Sequence, residues 1–160
     1  MVIDDPKSPE TTTRQLTNWL ADEIRPHWSP DGEWIAFYSN HQNKNDKIFD
    51  LWVIKADGTQ AKRLAQDVHV DDHKGAVWSS DSSTVFFVKR DFERKNPIMW
   101  VKRTGGASKV LIEDTEINSD LSIHYMDNGD MALAFRAAGL KTSDKKTWQR
   151  IYVVTFTMDD

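Results

Sequence analysis

The sequence predicts an all-β fold assembled from repeated antiparallel units of four strands each. Three observations carry that expectation. Apolar residues fall in short runs bounded by Gly, Pro, Asp and Asn, with strand-like alternation and almost no helical periodicity. A tight hairpin signal, Ser29-Pro30-Asp31-Gly32 between Trp28 and Trp34, recurs in weaker form twice downstream. The strand sets around these hairpins repeat about every 50 residues, a self-similarity that identifies repeat folds where single strands cannot.

Taken in order, residues 2–17 read as the tail of a strand, a Pro-containing turn at 5–9 and a strand over 12–17; a short helical turn fits 19–23. The strand over 25–28 ends at Trp28 and enters the turn. There Pro30 presets φ, Asp31 can bond its own backbone, and Gly32 accepts a positive φ. Strands follow over 34–39, 49–55 and 61–65, joined by a polar loop at 40–47 and a turn at 56–58. A second set runs through 76–78, the turn 79–82, 84–89, the loop 90–97, 98–102, the turn 104–106 and 108–112. The third set comprises 122–126, the turn 127–129, 131–136, the loop 137–147 and 148–157, and stops one strand short.

Alignment of the sets places Trp28, Trp78 and Tyr125 at the end of each first strand. Leu51-Trp52-Val53 matches Met99-Trp100-Val101 and Ile151-Tyr152-Val153 in the third strand, and Arg14-Gln15-Leu16 matches Lys62-Arg63-Leu64 and Lys109-Val110-Leu111 in the fourth. Repeats of four antiparallel strands at this period are β-propeller blades. The chain then reads as one propeller segment over 1–160, with blades near 18–66, 67–114 and 115–160 and residues 1–17 ending a preceding or closing blade. Trp28, Trp52, Trp78 and Trp100 are expected in blade cores, and Trp19 and Trp148 fall outside the repeat positions.

Composition bounds the partners. The 160 residues, 39% hydrophobic with seven Trp, suffice for a substantial core. A net charge of −4 gives no basic field for a phosphate backbone, so nucleic acid is not an expected partner. With no Cys there is neither a disulfide framework nor a thiolate nucleophile. No apolar run approaches the roughly 20 residues of a membrane span, so no membrane insertion is expected. The N-terminal residues lack the regions of a signal peptide, so the expectation is a cytosolic protein or one whose leader has been removed.

Pro26-His27-Trp28-Ser29-Pro30-Asp31-Gly32, Ile35-Ala36-Phe37, Asp50-Leu51-Trp52-Val53, Asp57-Gly58 and Arg63-Leu64 together resemble the repeat of TolB-type (WD40-like) β-propellers. Trp78-Ser79-Ser80-Asp81-Ser82 keeps the frame without its Pro and Gly, and Tyr125 replaces Trp in the third unit. The resemblance implies half of a six-bladed propeller, a periplasmic or cell-envelope location, and binding of proteins or peptides at one face of the channel. Related repeats form the gating propeller of prolyl-oligopeptidase-like serine peptidases and the scaffold of metal-dependent oligogalacturonate lyases.

The loops that enter the first strands are acidic: Asp22 and Glu23, then Asp67, Asp71 and Asp72, then Glu116 and Asp120. Asp22, Glu23, Asp71, Asp72 and Asp120 are the candidate partner site, where carboxylates around a channel mouth would receive a basic peptide or hold a cation. Solvated turn-forming Asp accounts for the same residues. The loops between second and third strands are basic, with Lys44, Lys47, Lys89, Arg90, Arg94, Lys95, Lys141, Lys145 and Lys146, and ordinary solvated charge explains them equally. His69, His73 and His124, with His27, are candidate metal ligands, set against histidines satisfied by backbone. No other cofactor is expected. The sequence has no Gly-x-Ser-x-Gly elbow and no phosphate loop.

These readings favour a non-catalytic, TolB-like module that binds a protein or peptide. The alternatives are the propeller of a serine peptidase and a metal-assisted lyase. Three blades fall short of the usual minimum of four for a closed ring. The strand count therefore leaves two assemblies: a homodimer closing a six-bladed ring, or a segment of a longer propeller.

Overall fold

The computed structural model describes residues 13–70, 74–91, 93, 95–138 and 148–157. Asp71, Asp72, His73, Arg94, Lys141, Lys145 and Lys146, with the turn expected at 5–9, lie outside the described residues. Eleven strands are described: β1 (Glu23–Trp28), β2 (Trp34–Ser39), β3 (Phe49–Lys55), β4 (Lys62–Val68), β5 (Val77–Trp78), β6 (Thr84–Val88), β7 (Ile98–Lys102), β8 (Lys109–Ile112), β9 (Glu116–Tyr125), β10 (Met131–Ala138) and β11 (Gln149–Phe156). They form three antiparallel meanders, β1-β2-β3-β4, β5-β6-β7-β8 and β9-β10-β11. These are two four-stranded blades and one of three strands.

The hairpin chemistry explains why the first two strands of a blade meet where they do. The Gly32 N–H donates to the Ser29 carbonyl at 2.9 Å, with Gly32 at φ +72°. The Ser29 hydroxyl accepts from the Trp34 N–H at 3.0 Å and donates to Asp31, whose carboxylate accepts the Glu33 N–H at 3.0 Å. Blade two repeats this with Ser79, Asp81, Ser83 and Thr84, and Ser82 takes the place of Gly32 at φ +59°. In blade three Gly129 makes the turn at φ +90°, as far past Met126 as Gly32 is past Ser29, and the hairpin closes one residue sooner because the Met126 N–H donates to the Asp130 carbonyl where that of Ser29 reaches Trp34.

The marker aromatics fix the blade register. Trp28 pairs with Ile35, Trp78 with Val85 and Tyr125 with Met131. From Ile35, Val85 and Met131 the ladders lead to Ile54, Val101 and Phe156. Hence Leu51-Trp52-Val53 corresponds to Ile98-Met99-Trp100 and to Val153-Val154-Thr155, and the alignment expected from sequence is corrected by one residue in blade two and by two in blade three. A one-residue slip exchanges the faces of a strand. Trp52 accordingly faces out of blade one toward residues 16 and 19, whereas Trp100 packs toward blade three.

Two apolar interfaces join the blades. Ala36, Tyr38, Leu51, Val53 and Leu64 of blade one meet Trp78, Val85, Phe87, Met99 and Val101 of blade two. Phe86, Val88 and Ile98 of blade two meet Met131, Leu133 and Phe135 of blade three, with Tyr152, Val154 and Phe156 beside them. Because β2 and β6 are covered on both faces, they are buried along their whole length and read as unbroken apolar runs.

Three further expectations change. Trp28 is not a core residue: it is 61% exposed while its counterpart Trp78 is 2% exposed, because the marker aromatic packs on the preceding blade and no blade precedes β1 among the described residues. Residues 13–17 form no strand among the described residues, and 19–23 form no helical turn. Instead Leu16 and Trp19 cover the free face of blade one against Ile35, Phe37, Trp52 and Ile54. Trp19 stacks on His41 at 4.2 Å and tilts against Trp52 at 4.9 Å. The contacts of this segment repeat those of a fourth strand. Arg14 donates to the carbonyls of Ala56 and Asp57 as Lys62 donates to that of Thr104, and Leu16 meets Trp52 and Ile54 as Leu64 meets Met99 and Val101.

Candidate functional site

Antiparallel connectivity puts the loops entering β1, β5 and β9, and the loops after β2, β6 and β10, at one end of the blades. The hairpin turns sit at the other end, where the Ala56 N–H meets the Glu33 carbonyl at 2.8 Å. The loop-bearing end is stitched by asparagines. The Asp22 N–H donates to the Asn40 side-chain oxygen at 2.9 Å, and the Asn40 amide donates to the Asp46 carbonyl at 2.9 Å. Asn118, fully buried, donates to the Asn96 carbonyl at 3.0 Å and ties the loop after β6 to the strand entering blade three.

This stitching leaves an open cleft of about 370 Å³ lined by Leu20, Ala21, Asp22, Asn40, Asn43 and Asp46. Asp22 and Asp46 give it negative charge, and Leu20 stands fully exposed beside them. Lys44 and Lys47 are exposed on the same loop.

The other predicted acids have separate engagements. Glu23 accepts the Thr17 hydroxyl at 3.1 Å, and Asp120 pairs with Arg136 at 2.8 Å. Asp67 turns its N–H to the Asp50 carboxylate at 3.0 Å. Asp67 and Asp120 both have left-handed backbones, φ +56° and +57°, at breaks in the ladder. β-Bulges re-aim side chains in this way, and Asp tolerates the conformation better than most residues.

For the histidines, the His27 ring bonds the Lys74 carbonyl, the backbone N–H of His69 donates to the Val88 carbonyl at 2.9 Å, and His124 is exposed. Among the described residues no group of three or more His, Cys, Asp and Glu could hold a metal ion.

Sequence reading missed the buried Asp50, which accepts from Arg63 at 3.2 Å, and the three asparagines Asn40, Asn96 and Asn118. The signal for Asp50 was a carboxylate set just before an apolar strand run, a place that needs a partner when buried. Asn in a polar loop carries no comparable signal.

At the hairpin end, Arg103 lies 4.6 Å and Lys55 5.7 Å from the Trp34 ring. Arg103 and Trp34 border a groove of about 490 Å³ that also includes Gln60, Lys62 and Thr104. Here Asp31 and Asp81 are held below the ordinary carboxylate range. Burial pushes each upward, but the hydroxyls of Ser29 and Ser79 and the N–H groups of Glu33 and Ser83 outweigh it.

The chain is similar to solved β-propellers. It matches the structure described as "putative TolB" from Agrobacterium tumefaciens with a TM-score of 0.59 and 19% identity, over 88% of this chain and 50% of that one. It matches the β-propeller domain of the Trilobed protease from Pyrococcus furiosus, described as having an open velcro topology, with a TM-score of 0.55 and 15% identity, over 86% of this chain and 42% of that one. No family model and no curated protein matches the sequence. The fold is thus a TolB-like β-propeller fold of about three blades, and the chain spans half or less of the length of these neighbours.

Proposed function

We propose that this chain is a binding module of a TolB-like propeller, whose loop-bearing end receives an extended basic segment of a protein or peptide. The observation that carries the reading is the cleft of Asp22 and Asp46 with exposed Leu20 at its mouth. Its asparagine-stitched walls hold two carboxylates beside an apolar contact, the pairing suited to a Lys or Arg next to an aliphatic residue. Surface carboxylates of this kind steer and orient more than they tighten, so binding is weak and salt-dependent.

A labelled peptide alternating Lys or Arg with Leu tests the reading by fluorescence anisotropy. Binding in the micromolar to millimolar range is expected, weakening several-fold in Asp22→Asn with Asp46→Asn and as salt rises. No binding at about 1 mM peptide, or binding indifferent to both substitutions, contradicts it.

A second reading has one observation in its favour, the likeness to the Trilobed protease propeller: the chain would then gate a hydrolase lying elsewhere in the polypeptide. A hydrolase domain encoded in the same reading frame supports that reading.

A further inference from the structure

Two residues depart from the repeat and meet across the boundary between the first two blades. Trp34 follows the hairpin turn where blade two has Thr84: the Trp34 N–H bonds the Ser29 hydroxyl as the Thr84 N–H bonds that of Ser79. Arg103 closes the third strand of blade two where blade one has Ala56: its N–H donates to the Ser83 carbonyl at 2.7 Å as that of Ala56 donates to Glu33 at 2.8 Å. The blade architecture therefore demands neither side chain. Yet the Arg103 guanidinium lies 4.6 Å from the centre of the Trp34 ring.

Both line the groove at the hairpin end, whose charged residues are two cations, Arg103 and Lys62. The Lys62 ammonium donates to the Thr104 carbonyl of the facing blade. A Cβ on Gly105 would stand 2.8 Å from that ammonium, so glycine lets the cation sit against the turn. An ammonium has three donors, and others remain for a guest. The Arg103 Nε donates to the Ser82 carbonyl at 3.1 Å, which fixes the guanidinium plane, while its Nη groups bond no acceptor among the described residues. Trp34 is 8% exposed, and its buried indole N–H likewise has no acceptor among the described residues. A buried donor left without an acceptor is costly and uncommon. Asp31 feels the charge of Arg103, so the net charge presented to a guest is nearer one than two.

We propose that this groove receives an Asp or Glu side chain of an extended acidic peptide segment. The planar carboxylate matches the fork of the Arg103 Nη groups, and Lys62 supplies the second cation. As the guanidinium lifts from the indole toward the carboxylate, the Trp34 N–H gains the oxygen acceptor it lacks. Ala61 and the aliphatic stem of Lys62 offer the contact for a neighbouring apolar residue. A net charge near one suits a carboxylate better than a phosphate dianion. The groove is open at the surface, which admits a passing chain, whereas sites for small acids bury most of their ligand. It is built wholly from the two described four-stranded blades, at the end opposite the Asp22–Asp46 cleft. That cleft repels an acidic probe, so the two readings fail separately.

A labelled peptide alternating Glu with Leu tests the proposal by fluorescence anisotropy. Binding in the micromolar to millimolar range is expected, weakening as salt rises. Arg103→Gln and Lys62→Gln each weaken it by about fivefold or more, and Lys62 is exposed, so its variant keeps the fold even where loss of the Arg103–Ser82 bond disturbs the turn. In a nitrogen–proton correlation spectrum the Trp34 indole signal, identified by its absence from Trp34→Phe, moves downfield as the peptide is added. No binding at about 1 mM peptide, binding indifferent to both Gln substitutions, or an indole signal that stays in place overturns the site. Butyrate or inorganic phosphate binding as tightly as the peptide at equal ionic strength overturns the assignment to an acidic segment.

Discussion

Two serine–aspartate pairs, Ser29 with Asp31 and Ser79 with Asp81, hold the hairpin turns of the first two blades. Each carboxylate collects a hydroxyl and a backbone N–H, and Lys102 or Arg103 adds attraction, so both titrate below their ordinary range despite some burial. A carboxylate whose folded pKa lies below the unfolded value contributes stability that is complete above the unfolded pKa and is lost as pH falls through the folded one. The melting temperature should therefore fall as pH drops from about 5 to 2.5, and Asp31→Asn with Asp81→Asn should flatten part of that slope. Both groups are largely solvated, so the change is modest. An unaltered acid limb in the double variant would mean that the turns do not sense these charges. This chemistry is legible in the sequence, because Ser-x-Asp before Gly or Ser is a local pattern that closes on itself within four residues. Asn118 is not legible, since its partners Lys95 and Asn96 are set by the packing of two blades.

At the scale of the element, the strands with the clearest boundaries are those whose signal is wholly local. β2, β3 and β7 fall where their apolar runs stop at Gly, Asp or Asn. β9 extends well before its expected start, because its first half pairs with β10 across irregularities at Asp120 that no local pattern announces. The relative register of third strands was hidden for a related reason. Each blade has one aromatic or bulky residue near the centre of that strand, and only the ladder reveals that Trp52 and Trp100 point to opposite faces. The hairpin is the best test at this scale. A Cβ on Gly32 meets nothing within 4 Å, so the cost of substitution comes from the backbone at φ +72° alone. Gly32→Val should cost about 1 to 3 kcal/mol in a denaturant melt, and a loss below about 0.5 kcal/mol would remove the left-handed turn from the account.

The whole molecule uses one interface repeatedly: an inner-strand aromatic caps the blade before it, and alternate faces of the second and third strands fill the space between. The repeat period discloses this architecture in the sequence, but it cannot say which copy of the motif has a neighbour. Trp28 and Trp78 share their flanking Trp-Ser-x-Asp, yet one lies open and the other is sealed. Comparison of Trp78→Ala and Trp28→Ala in matched urea melts at submicromolar protein tests this most directly. The account predicts a loss of roughly 3 to 5 kcal/mol for Trp78→Ala, whose ring fills an interblade core, and less than about 1 kcal/mol for Trp28→Ala. Equal losses at the two positions would contradict it.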